Sequence, residues 1–108
     1  MTRAERYARR LPEPARLLLA YAIHTKGINP LNARPECVSS AGRTVYHDMT
    51  AVRGLERRGL VSEVPSGFGL TEFGRDVGKA VWRLGLVTFA GGVFTAVSLA
   101  PSTPEPMK

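Results

Sequence analysis

The chain has 108 residues, with 15 Lys+Arg against 9 Asp+Glu and a formal net charge of +6. That length suits one domain with a modest core of three or four helices. Its single cysteine, Cys37, excludes an intramolecular disulfide framework and a cysteine-based zinc site. The excess charge is lopsided: residues 1–61 carry eleven basic and five acidic side chains, whereas residues 62–108 carry four of each. A basic half predicts a polyanionic partner, because neutralised phosphates release counterions. The plain alternative is a protein that is merely soluble and basic. The N-terminus, MTRAERYARRLPEPAR, has no apolar stretch of a secretory signal, and with the lone cysteine it implies a reducing cytoplasm.

Arg3, Arg6, Arg9 and Arg10 fall at helical spacing and form a basic arm over residues 1–11. Pro12 and Pro14 follow at once, and a residue before Pro is disfavoured in a helix, so the arm ends near Leu11. Pro14 suits the first turn of a new helix, where its missing N–H costs nothing. Ala15, Leu18, Leu19, Ala22 and Ile23 then trace a core-facing stripe, and Gly27 supplies the stop. Asn29-Pro30 and Arg34-Pro35 punctuate a loop, after which a short, weakly marked helix is predicted from Pro35. Ser39 and Ser40 are candidate N-caps for the next element.

Residues 41–58 read as one long helix. Val45, Met49, Val52 and Leu55 or Glu56 fall on one side, and Arg43, Tyr46, His47, Thr50, Arg53 and Arg57 on the other. Gly59 ends it. Two short β-prone runs, residues 60–64 and 68–70, flank the turn signal Pro65-Ser66-Gly67. Thr71 is a suitable N-cap for a last helix, with Glu72 and Asp76 near its start and Phe73, Val77, Ala80, Val81 and Leu84 on its buried face. Residues 84–100 carry no charge. They fit a hairpin around Gly91-Gly92, an extension of the last helix against a second subunit, or, weighed below these, a membrane-associated stretch at the short limit of a span. Residues 101–108 are Pro-rich and are expected to be a disordered tail.

Residues 55–61, LERRGLV, and residues 70–74, LTEFG, bracket the short hairpin in a way that resembles the winged helix-turn-helix superfamily. Within it the chain is similar to small bacterial, archaeal and phage regulators of the MarR and PadR groups. The resemblance covers residues 12–84, with specific motifs only in those two blocks. It implies a mainly α fold with a small β-hairpin (α+β), to which the residues themselves add an apolar C-terminal hairpin or helix extension over residues 85–100. It also implies double-stranded DNA as partner, with the helix before Gly59 in the major groove, its N-terminal half deepest. A helix fits that groove, and Arg, Thr and Tyr can reach base edges, methyl groups or phosphates there.

The proposed reading face is therefore Arg43, Thr44, Tyr46, His47, Thr50 and Arg53, with Arg57 and Arg58 as phosphate contacts. The rival explanation is an ordinary solvated helix surface, although such faces more often mix Glu with Lys. Two features depart from the family pattern. The helix is about a turn too long, and the hairpin tip has no Arg or Lys, leaving backbone N–H groups and Ser66. Arg3, Arg6, Arg9 and Arg10 are a substitute source of backbone contacts, equally readable as solvated arginines.

No catalytic, metal or cofactor constellation is predicted. His24 and His47 lack ligand spacing, and Gly67-Phe68-Gly69 is too short for a phosphate loop. The expected function is a small transcriptional regulator, most simply a repressor acting by operator occupancy. It would bind as a homodimer held by the apolar residues 84–100. The other readings are a winged-helix adaptor for protein or membrane contact, and a phage or plasmid protein of DNA replication or packaging.

Overall fold

The computed structural model describes residues 1–29 and 35–99. Part of the predicted loop (Pro30, Arg34) and the predicted tail lie outside them. Among the described residues, four helices and six strands run in the order α1 (Arg3–Arg10), α2 (Glu13–Thr25), β1 (Glu36–Val38), β2 (Thr44–Val45), α3 (Met49–Arg57), β3 (Val61–Val64), β4 (Gly67–Leu70), α4 (Glu72–Arg83), β5 (Val87–Ala90) and β6 (Val93–Ala96). The class is α+β, as expected.

The arm is a true helix. Thr2 and Glu5 close a reciprocal capping box at its start, and Leu11 caps its end in extended conformation. α2 begins at the predicted prolines and ends with Lys26 in the left-handed region, where Gly27 N–H donates to the Ala22 carbonyl. It is buried more completely than an amphipathic stripe requires: Arg16 through Ala20 and Ala22 are all covered. α2 is the central post, touching α3, α4, β4, β5 and β6.

Two predicted helical segments are not helical. The stretch from Pro35 forms β1, whose Cys37 pairs with Val45 on one side and with Phe94 on the other. The long helix over residues 41–58 is halved. Gly42 at φ 83° sits in a turn, Thr44 and Val45 form β2, and the helix starts only at Met49. Its N-cap is Asp48, whose carboxylate accepts from Ala51 N–H, and not Ser39 or Ser40. β-branched and aromatic residues over Thr44-Val45-Tyr46 favour the strand, and its antiparallel pairing with Cys37 and Val38 of β1 fixes it. Val45 therefore packs from a strand, and Met49 is 41% exposed.

The remaining elements follow their local signals. β3 and β4 form the expected antiparallel hairpin, and Thr71 caps α4 by accepting from Gly74 N–H. The described part of the uncharged segment, residues 84–99, takes the hairpin reading: β5 and β6 pair antiparallel around Gly91-Gly92, both at positive φ as a type I′ turn needs. Among the described residues no helix is long and apolar enough to cross a membrane.

The α3–β3–β4 segment repeats as α4–β5–β6 at one constant spacing. Arg57 matches Arg83, Gly59 matches Gly85, Leu60-Val61 match Leu86-Val87 and Phe68 matches Phe94. Each helix ends in a Schellman turn. Gly59 (φ 76°) and Gly85 (φ 68°) adopt the left-handed conformation, and Leu60 and Leu86 N–H groups donate back to Leu55 and Val81 carbonyls at 3.0 and 2.9 Å. The leucines after the glycines are buried. The next bonds correspond as well, with Thr71 N–H to the Leu60 carbonyl and Val97 N–H to the Leu86 carbonyl. Each buried Phe then pairs with a segment outside its unit, Phe68 bridging Ile28 just after α2 and Phe94 pairing with Cys37 of β1.

The two units are placed differently. α4 is sandwiched between α1 and α2, whereas α3 packs on α2 and its own hairpin. α1 is held to α4 by Tyr7 edge-on to Phe73 at 5.1 Å, by Arg3 over the same ring, and by the Arg83–Glu5 ion pair at 3.1 Å. The second hairpin joins the four-stranded sheet β2-β1-β6-β5. There Phe94 contacts Tyr21 and His24 of α2, Trp82 of α4 and Phe89 of β5.

Candidate nucleic-acid interface

The predicted reading residues do not share one helix. Thr50, Arg53 and Arg57 lie on α3, on the side opposite its buried Val52 and Leu55. Arg58 is the C-cap, and Arg57 and Arg58 are both exposed. Arg43 and Thr44 stand at the β1–β2 turn, and Tyr46 and His47 in the short connection to Asp48. The β2–α3 connection brings Tyr46 and His47 to the N-terminal end of α3, and Arg57 and Arg58 mark the other end, roughly 14 Å away at 1.5 Å per residue.

The anchoring of the β1–β2 turn explains its position. Ser40 N–H and hydroxyl both donate to the Glu13 carboxylate, at 3.0 and 2.5 Å. These bonds hold Glu13 below the usual carboxylate range, against the opposing effect of burial. His47 Nε2 donates to the Pro14 carbonyl at 2.9 Å, since a carbonyl can only accept. The β1–β2 segment is thus tied to the start of α2, within a few residues of Arg9 and Arg10 on the exposed side of α1. Buried Arg16 completes the junction, with its guanidinium 3.3 Å from the Val97 carbonyl and 3.9 Å from Glu13.

Individual residues divide sharply. Tyr46 is 88% exposed, an unusual position for a large ring. His47 is half-buried and committed to Pro14, so its ring is a structural tie and not a free reading group. Arg53 is also engaged: it pairs with Glu56 at 2.8 Å and Glu63 at 3.5 Å and lies over the Phe68 ring. These carboxylates raise its pKa, and the guanidinium braces α3 against its hairpin. By contrast Arg43, Arg57 and Arg58 have no ion pair among the described residues. Ser66 is exposed at the hairpin turn. On α1, Arg3 and Arg6 are partly occupied, by Phe73 and by the Met1 carbonyl, while Arg9 and Arg10 are exposed near its end.

Sequence reasoning missed the acidic partners. Glu63 reaches Arg53 from another element, so no helical periodicity reveals it. Asp48 is different: an Asp directly before a helical run is itself an N-cap signal.

Cys37 and His47 line one shallow cleft with Glu36, Thr44 and Tyr46. Burial pushes the Cys37 thiol up to about 11, which keeps it protonated near neutrality, the opposite of what a nucleophile needs. No group of His, Cys, Asp or Glu among the described residues could hold a metal ion.

Burial holds the His47 pKa below its ordinary 6.5, outweighing the Pro14 bond and Asp48. The unfolded chain therefore binds a proton first as pH falls. Stability is full above the ordinary value and declines as pH drops through it toward the lower folded pKa. Urea midpoints should accordingly fall between about pH 7.5 and 5.5, a range that brackets the ordinary imidazole value. His47→Gln keeps a donor for Pro14, and should flatten that slope; an unchanged slope would show that another group carries it.

Comparison of the chain with family models, with curated proteins and with solved structures finds no match.

Proposed function

We propose that the chain is a winged-helix protein that binds double-stranded DNA in a sequence-specific manner, as a small transcriptional regulator that occupies its operator as a homodimer. The observation that carries this reading is the asymmetry between the two repeated units. The outer side of α4 is covered by α1, whereas α3 keeps Thr50 and Arg57 outward beside Arg58. A nine-residue helix with an open polar face can enter a major groove. Arg57 and Arg58 serve as phosphate contacts at one end, and Tyr46 flanks the other, with Arg43 upstream at the β1–β2 turn. Arg9 and Arg10 extend the basic surface from the anchored junction. Arg53 acts in this reading by positioning the hairpin, and base readout falls to Thr50 with its neighbours Met49 and Tyr46. The hairpin tip, Pro65-Ser66, is uncharged and contributes through backbone N–H groups and Ser66.

Binding of a labelled duplex across a salt series tests the proposal. Affinity should fall steeply with salt, and Arg57→Ala or Arg58→Ala should each weaken selected and random duplexes alike, lowering the log–log salt slope by about 1. Thr50→Ala should reduce the preference for selected over random DNA several-fold. Absence of duplex binding at low salt would overturn the reading. It would favour an adaptor that docks protein or membrane through its neutral surfaces, for which the uncharged hairpin tip is the supporting observation.

A further inference from the structure

We infer that two copies of this chain associate by antiparallel pairing of their β5 edges, centred on Phe89. β5 is the outermost strand of the four-stranded sheet. In its two-residue hairpin Thr88 and Ala90 are the hydrogen-bonded partners of Thr95 and Val93. The N–H and C=O of Phe89 therefore point away from β6. Thr88, Phe89 and Ala90 are all exposed, Phe89 by 41%.

The internal repeat supplies the comparison that makes this edge informative. The equivalent outward residue of β3 is Glu63, and the residue after that strand is Pro65. A two-fold axis there would set Glu63 against its own copy, and Pro lacks the ladder N–H; both are ordinary guards of a free edge. At the matching positions β5 has Phe89 and Gly91. The same axis then sets Phe against Phe and Thr88 against Ala90 of the second copy, with no charge opposed. Phe89 already packs, tilted, against Phe94 at 4.5 Å and against His24 at 4.7 Å. Pairing would join the aromatic clusters of both copies, a favourable cross-strand contact. The chain's own C-terminal residues are poor substitutes, because Pro101, Pro104 and Pro106 lack ladder donors.

This deepens the homodimer of the proposed function but needs no DNA, so it is tested without it. Sedimentation over a concentration series should show a mass approaching twice the chain's 11.7 kDa. Phe89→Glu, which copies the guard of β3, should weaken dimerisation at least tenfold while leaving the circular dichroism unchanged; Phe89→Leu should still dimerise. Phe89→Cys should form a covalent dimer on mild oxidation, since residues in a hydrogen-bonded antiparallel pair lie about 5.5 Å apart, within disulfide reach. A monomer throughout the series, or a Phe89→Glu dimer as tight as the parent, would overturn the inference whether or not the chain binds DNA.

Discussion

Gly74→Ala is expected to remove at least about 3 kcal/mol of stability, a large share of the 5–15 kcal/mol typical of a domain. Gly74 is buried in the first turn of α4. A Cβ there would overlap the Leu60 carbonyl, which already accepts Thr71 N–H at 3.1 Å. The obstacle is backbone inside the Schellman turn, so no side-chain rotation relieves it. Gly78→Ala meets a different obstacle, the flexible side chain of Ile23, and should cost about 1–3 kcal/mol. Truncating Ile23 in the same chain should recover much of that cost, whereas no single truncation should rescue Gly74→Ala. Gly54→Ala is the control of opposite sign. Nothing lies near its would-be Cβ, and it should gain about 0.5–1 kcal/mol from helix propensity. Urea denaturation of the four variants orders them. Gly74→Ala as mild as Gly78→Ala would mean that α4 can slide away from Leu60.

These glycines show how far local reading reaches. Gly59 was legible as a helix stop because the stop is a local event, and so were Thr71 as a cap and Pro65-Ser66 as a turn. The prolines before α2 and the glycine pair at the last hairpin belong to the same kind. Residues 41–48 misled because Val45, four residues before Met49 and seven before Val52, extends the helical period of α3 backwards although it belongs to β2. Gly42 inside the supposed helix and Asp48 ahead of Met49 were the local clues against it. β1 had no such clue, since its parallel partner β6 lies far along the chain and supplies the pairing that a three-residue strand cannot supply for itself. For the candidate interface the types of residue were legible but their engagement was not. Arg53 and Arg57 look alike in sequence, yet only Arg53 finds Glu63 across the hairpin. The repeat was visible in principle, as Gly-Leu-Val followed at a fixed distance by Phe, but its meaning required seeing one helix covered and its counterpart open.

Leu19→Ala is expected to cost about 4–5 kcal/mol, the upper part of the range for Leu-to-Ala changes in cores. Leu17, Leu18 and Leu19 are all fully buried, but Leu19 lies where α2 and α4 approach through Gly78, 3.5 Å from that residue's would-be Cβ. A helix pair already drawn close by a glycine has little room to close further, so the cavity should persist and the full cavity penalty should apply. Leu18→Met, which conserves volume, should cost less than about 1.5 kcal/mol. The manner of unfolding matters as much as the size of the loss. α2 is the element that packs against both repeated units, and Trp82 of the second unit donates its indole N–H to the Ala20 carbonyl of α2. Weakening the shared post should therefore weaken both units together. Far-UV circular dichroism, which reports all helices, and Trp82 fluorescence should shift to one common lower midpoint with an unchanged slope. Separated midpoints would show instead that the α3 unit, which carries the proposed DNA face, unfolds apart from the unit beside it.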